Sequence, residues 1–225
     1  MKLFLSSYRF GDLLPELAAL AGQGSRVAVI ANATDFIPDA DRRAYAERIH
    51  DPIALLTAQG LPARALDLRR YFGRPDALAA DLAGVGLVWV NGGNAFLLMR
   101  AMRASGFDKV APPLVRQGVL AYGGWSAGAC AAGPDLRGIE LMDDPAQLAP
   151  GYPVDPVWDG LGLIAERIVP HFASDHPEAR AAARCAADLS ARGLAHRTLR
   201  DGEALVSDGA GLALLEARQP QVDTG

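Results

Sequence analysis

The segment Val119–Ala132, VLAYGGWSAGACAA, carries the clearest chemistry in the sequence. An apolar run leads into Gly124-Trp125-Ser126-Ala127-Gly128, and small residues follow. This is a G-x-S-x-G pattern in a strand–turn–helix context, the setting in which a serine is held above a sheet as a nucleophile. So sharp a turn strains the serine backbone and requires neighbours without bulk. The helix start that follows offers backbone N–H groups and a positive dipole end to a developing oxyanion. One strand earlier, Val88–Ala95 (VWVNGGNA) repeats the grammar: a strand, a Gly-Gly turn, and Asn94 placed as a helix N-cap. Strand C-termini of a parallel sheet share one edge, where ligands bind, so this turn can lie beside Ser126 and supply a further N–H. It lacks the Lys-Ser/Thr pair of a phosphate loop and the G-x-G-x-x-G spacing of a dinucleotide site.

A serine nucleophile needs a base, most often histidine. Of the four histidines, His171 follows the apolar Ile168-Val169-Pro170 and can reach the same sheet edge. His176, in the polar loop after it, and His196, at the start of a late strand, are alternatives. His50 lies in a charged helical stretch and is expected to be exposed. The residues alone leave the acid open among Asp135, Asp143, Asp144, Asp159, Asp175 and Asp201.

The elements that must position these groups alternate in type. Strands are predicted at Lys2–Leu5, Arg26–Ile30, Ala63–Asp67, Gly86–Val90 and Val119–Tyr122. Amphipathic helices are predicted at Leu13–Ala21, Asp39–Gln59, Pro75–Ala83, Ala95–Ala104 and Asp108–Gln117. Asp51-Pro52 reads as an N-cap with a first-turn proline, which splits the second of these. Continuous apolar strands followed by helices indicate a parallel sheet covered on both faces. Asp135–Gly160, rich in Asp, Pro and Gly, reads as a long ordered loop. Regular structure returns with a strand within Ile164–Pro170, a helix over Pro177–Arg192, and strands at Ala204–Ser207 and Gly211–Leu215. Residues Gln219–Gly225 are expected to form a frayed tail of one domain spanning the 225 residues.

Half of the residues are apolar, 21% are charged and the formal net charge is −4. That balance suits a globular chain and offers no basic run for nucleic acid or an anionic membrane. No stretch reaches the ~18–20 uninterrupted apolar residues of a membrane span. Arg9, Asp12 and Glu16 break any signal-peptide core, so a cytoplasmic location is expected, with Cys130 and Cys185 as reduced, buried thiols.

At this point the chain resembles the aspartyl dipeptidase (peptidase E) family of serine peptidases, which includes the cyanophycinases. The resemblance rests on Gly92-Gly93-Asn94 with Phe96, Gly124-Trp125-Ser126-Ala127-Gly128-Ala129, Gly160-Leu161-Gly162-Leu163 and Pro170-His171-Phe172. The stretch Pro134–Pro150, with Met142-Asp143-Asp144-Pro145, adds to it. It implies an α/β, flavodoxin-like, mostly parallel sheet of the class I glutamine amidotransferase type, with serine in place of cysteine. It further implies Ser126 as nucleophile, His171 as base and Asp201, in Leu199-Arg200-Asp201-Gly202, as the acid. Backbone N–H groups of Gly93 and Ala127 would form the oxyanion hole. No metal or organic cofactor is implied, and relatives suggest a homodimer. The implied substrate is a dipeptide or short peptide, and the family's N-terminal aspartate wants an arginine fork. Arg180 is the nearest counterpart, although the family's Gly-Glu-Thr-Arg reads Pro177-Glu178-Ala179-Arg180 here; Asn94 is a second candidate substrate contact. Two rivals stand beside this reading: an α/β-hydrolase-type esterase with an acid earlier in the chain, and a non-catalytic binding protein on the same scaffold.

Overall fold

A computed structural model describes residues 1–216, so the expected tail at Gln219–Gly225 lies outside the described residues. Seven strands form the main sheet: β1 (Leu3–Ser6), β2 (Val27–Ile30), β3 (Ala63–Ala65), β4 (Leu87–Val90), β5 (Ala121–Trp125), β8 (Glu203–Ser207) and β9 (Ala213–Glu216). Their order is β3-β2-β4-β5-β1-β8-β9. The first five run parallel, and β8 and β9 complete the sheet antiparallel. Two further strands, β6 (Arg167–Val169) and β7 (His196–Thr198), pair in parallel as a separate ribbon. The arrangement is the α/β, flavodoxin-like class that the sequence implies.

Alternation along the strands builds two cores. Leu3 and Leu5 of β1, with Ile30, Val88, Val90 and Tyr122, face one side. That side is packed by α4 (Pro75–Leu82), α5 (Ala95–Ser105), α6 (Phe107–Arg116), α7 (Ala127–Cys130) and α8 (Ala179–Ala191). Phe4, Val27, Val29, Leu87 and Trp89 face the other side, against α1 (Leu14–Ala21) and α3 (Pro52–Ala58). The split expected at Asp51 is present: α2 (Asp39–Arg48) ends, and the Asp51 carboxylate accepts the amides of Ile53 (2.9 Å) and Ala54 (3.1 Å) to start α3.

Strand β5 departs from the expected Val119–Tyr122. It begins at Ala121 and runs on through Gly123, Gly124 and Trp125, while Val119 is exposed. The glycines, which read as turn, are strand residues that admit neighbouring bulk. A Cβ on Gly123 would lie 2.7 Å from the ring of its register partner Trp89, and one on Gly92 would lie 2.6 Å from the ring of Trp125. Each tryptophan thus fills the space over a glycine of the neighbouring segment.

The loop between Gly133 and Glu166 is ordered by buried cations. Arg100 of α5 donates to the carbonyls of Pro145 (2.7 Å), Gln147 (3.2 Å) and Val154 (3.0 Å). Arg167 grips Asp135 with Nε at 2.7 Å and a second nitrogen beside it. Such charge-assisted bonds hold irregular backbone that no ladder supports. No helix among the described residues is long and apolar enough to cross a membrane.

Candidate active site

Because β1 lies between β5 and β8, the C-terminal end of β5 and the start of β8 meet across it. β5 delivers Ser126 to this edge, and the turn before antiparallel β8 delivers Asp201 to the same edge. His171 arrives from the ribbon, two residues after β6, where Leu199 ties the segments together through its N–H to Val169 (2.9 Å) and its carbonyl to the Phe172 N–H (3.0 Å).

The three side chains form a connected line. His171 Nε2 is 3.1 Å from Ser126 Oγ, and His171 Nδ1 is 2.8 Å from Asp201 Oδ1. Both Ser126 and His171 are buried and both carry positive φ, +49° and +60°. For residues with a Cβ this is a strained conformation that only the surroundings can enforce. Burial by itself would raise the Asp201 carboxyl, but hydrogen bonds from His171 and Ser7, with the histidine charges, hold it below its ordinary value. A histidine with a carboxylate on Nδ1 presents Nε2 to take a proton from the serine. His176 stacks on His171 at 3.8 Å between centroids, and its own Nδ1 accepts the Glu178 amide. His196 Nδ1 instead faces the Leu194 carbonyl at 2.9 Å.

The two expected oxyanion donors belong to the turns that follow the neighbouring parallel strands β4 and β5. Neither the Gly93 nor the Ala127 N–H has an acceptor among the described residues. Gly93 holds φ +134°, with Ala33 O so close that a Cβ would stand 2.6 Å from it. Ala127 opens α7 directly after Ser126.

A cavity of about 960 Å³ opens over the line, bordered by Ser126, His171, Gly93, Asn94, Asp143 and Glu178, with Tyr8, Phe36, Tyr45, His50 and Trp125 on an aromatic side. Three sequence expectations change here. Arg180 is exposed on α8 and is not part of the cavity wall; the chain enters that helix with Glu178 toward the cavity, 3.9 Å from His171 Nε2. Asn94 borders the cavity, but its amide is already used: Oδ1 caps Leu97 N (2.8 Å) and Nδ2 donates to the Asp144 carbonyl (2.9 Å). His50 is not an exposed helical residue. It sits in the break between α2 and α3, packed between Phe10 and Trp125, where burial and then the Arg9 charge lower its pKa to about 4.

Sequence reasoning missed Ser7, Asp143 as a cavity group, and Glu178. Asp143 accepts the Ala95 N–H at 2.7 Å, and burial raises its carboxyl to about 7. Ligand atoms of His171, His176 and Glu178 lie within 4.8 Å of one another. The two imidazole planes are within 9° of parallel, so their in-plane lone pairs do not converge on one ion, and both His171 nitrogens already have partners.

Comparison with known proteins agrees with this architecture. Residues 5–215 match the model of peptidase family S51. A peptidase E of Streptomyces coelicolor is 31% identical over 159 residues, 69% of this chain and 61% of that protein. A peptidase E of Citrobacter koseri is 39% identical over 100 residues, 44% of this chain and 39% of that protein. The matched region therefore spans between two fifths and three fifths of these relatives. In structure, a Listeria monocytogenes protein assigned as a peptidase E superposes with a TM-score of 0.77 at 22% identity, covering 96% of this chain and 98% of that one. A peptidase from an acI-B1 actinobacterium gives 0.61 at 16% identity, covering 97% and 95%. With its family model matched along nearly the whole described chain, this protein belongs to peptidase family S51.

Proposed function

We propose that this protein is a serine peptidase that hydrolyses dipeptides or short peptides in the cytoplasm through an acyl-enzyme. The observation that carries the reading is the unbroken line Ser126 Oγ, His171 Nε2, His171 Nδ1 and Asp201 Oδ1, at 3.1 and 2.8 Å. Ser126 attacks the scissile carbonyl while His171 takes its proton; His171 then returns the proton to the leaving amine. Asp201 fixes the tautomer and supports the imidazolium. The N–H groups of Gly93 and Ala127 receive the oxyanion, and water repeats the sequence to release the acid.

Charge argues against a strict requirement for N-terminal aspartate. Of the two arginines on the cavity wall, Arg42 is held by Asp35 and Asp39 and Arg43 is exposed at the rim, while Asp39, Asp41, Asp144 and Glu178 line the same wall. A free peptide ammonium suits such surroundings better than an added carboxylate. The esterase and binding-protein alternatives fit less well, because the acid on His171 Nδ1 follows it in the chain and the nucleophile is backbone-strained.

The test is hydrolysis of Asp-Leu, Glu-Leu, Ala-Leu, Lys-Leu and N-acetyl-Ala-Leu by wild type and Ser126→Ala, with fluorophosphonate labelling alongside. Cleavage of Ala-Leu and Lys-Leu, lost in the variant, is the expected result. Cleavage of Asp-Leu alone would overturn the charge argument, and no cleavage with no labelling would overturn the peptidase.

A further inference from the structure

Ser7 is the residue immediately after β1, fully buried between the strand that carries the nucleophile and the strand that follows the acid. It touches all three members of the line. The Ser126 N–H donates to its carbonyl at 3.1 Å, sharing that proton with the Ser6 carbonyl at 3.2 Å. The His171 N–H donates to its Oγ at 2.7 Å. Its hydroxyl has two acceptors in reach, Asp201 Oδ1 at 2.7 Å and the Leu199 carbonyl at 3.3 Å. A hydroxyl has one proton, and the nearer, charged oxygen takes it. That oxygen is the one bonded to His171 Nδ1. Its own N–H donates to the Glu203 carbonyl at 3.0 Å, which locks it to the start of β8.

We propose that Ser7 is the positioning residue of the triad, its hydroxyl fixing the Asp201 carboxylate and the His171 backbone together while its carbonyl anchors Ser126. This rests on the triad reading above. The hydroxyl stops the carboxylate from rotating away from the imidazole. By accepting the His171 amide, it also holds that residue at the positive φ from which Nε2 reaches the serine. Ser7 is fully buried and not part of the cavity wall, so its removal should affect the turnover step and leave substrate binding nearly unchanged.

The experiment compares wild type, Ser7→Ala and Ser7→Cys, each also in an Asp201→Ala background. It reads melting temperature, kcat and KM on the cleaved dipeptide, and the low-field proton resonance of His171 Nδ1–H. Ser7→Ala removes two hydrogen bonds, the donation to charged Asp201 and the acceptance of the His171 amide, and is expected to lower kcat about 10- to 100-fold, with KM within about 3-fold. The Nδ1 resonance should shift upfield or exchange away. Ser7→Cys, with its weak donor, should lie between, and it is read in the same way should Ser7→Ala not fold. In the Asp201→Ala background the further loss should be clearly smaller than in wild type, because the hydroxyl's bond to the carboxylate is already gone and only its bond to the His171 amide remains to be lost. A lowered melting temperature with wild-type kcat and resonance would overturn the proposal, as would an equal kcat loss in both backgrounds. A chain that cleaves no peptide yet shows the resonance change in Ser7→Ala would refute the peptidase and leave the positioning role supported.

Discussion

Replacing Gly128 with alanine puts helix propensity and packing in direct opposition. In a helix, alanine is favoured over glycine by about 1 kcal/mol. At Gly128, however, a Cβ would stand 2.3 Å from the Val90 carbonyl oxygen, 2.9 Å from its carbon and 3.0 Å from the Val90 Cβ. An ordinary C···O approach is about 3.3 Å, so α7 must retreat by about 1 Å. It has little room. The Gly128 carbonyl accepts the buried Tyr122 hydroxyl at 2.7 Å, and a Cβ on Gly124 would itself meet the Gly128 backbone at 2.8 Å. Overpacking against backbone of this kind costs about 1–3 kcal/mol or more, and a retreating helix also forfeits its contacts with β4 and β5. Less the propensity gain, we expect a net loss of about 2 kcal/mol. For a chain of this size that is about 4–8 °C in melting temperature. The displaced helix carries the Ala127 N–H, so fluorophosphonate labelling of Ser126 should slow in the folded variant. Gly211→Ala is the control: nothing lies within 4 Å of its Cβ, and the change should be within about 0.5 kcal/mol. A Gly128→Ala protein as stable as wild type, labelled at the same rate, would show that the turn is not wedged as described.

Other expectations follow from the same geometry. Asp201→Asn should lower kcat about 10³- to 10⁴-fold with KM little changed, and more than Asp143→Asn does; the reverse ranking would reassign the acid. Burial, opposed by the Ala95 N–H, raises the Asp143 carboxyl to about 7, whereas an unfolded aspartate ionises near ~3.9. The group therefore favours the folded state progressively less as pH rises from ~4 to ~7. Asp143→Asn should raise the melting temperature at pH 8 and do so less at pH 5; a gain independent of pH would contradict the burial argument. Arg100→Leu leaves the carbonyls of Pro145, Gln147 and Val154 without their donor. It should cost about 3 kcal/mol and open the 143–155 segment to proteolysis, and resistance equal to wild type would refute this.

How far the sequence was legible depends on whether a function leaves a local signature. A turn this sharp must exclude side chains, so Gly124 and Gly128 single out Ser126 as the proposed nucleophile. A histidine at the end of an apolar strand is likewise visible, and His171, the proposed base, stands out. The proposed acid has no such mark: Asp201 sits in an unremarkable turn, selected among six carboxylates only by the family resemblance and brought to His171 by the antiparallel return of β8. Ser7 left no mark because its role depends on the order of strands in space. His50 misled for a related reason: its neighbours are charged, but a helix break turns the imidazole inward. Arg180 lies off the cavity wall, which the sequence could not show because a helix face cannot be assigned before its packing is known.

The exchange between β4 and β5, in which Trp89 covers Gly123 and Trp125 covers Gly92, bears on how this chain can change over generations. Each glycine is held small by a tryptophan on the neighbouring segment, and each tryptophan has its volume only because that glycine is small. A substitution at any one of the four leaves either a void or a collision, in the sheet core for the Trp89 pair and on the cavity wall for the Trp125 pair. Sequence drift at these positions is therefore coupled in pairs. Among descendants of this fold, a larger residue at 92 or 123 should be inherited together with a smaller one at 125 or 89.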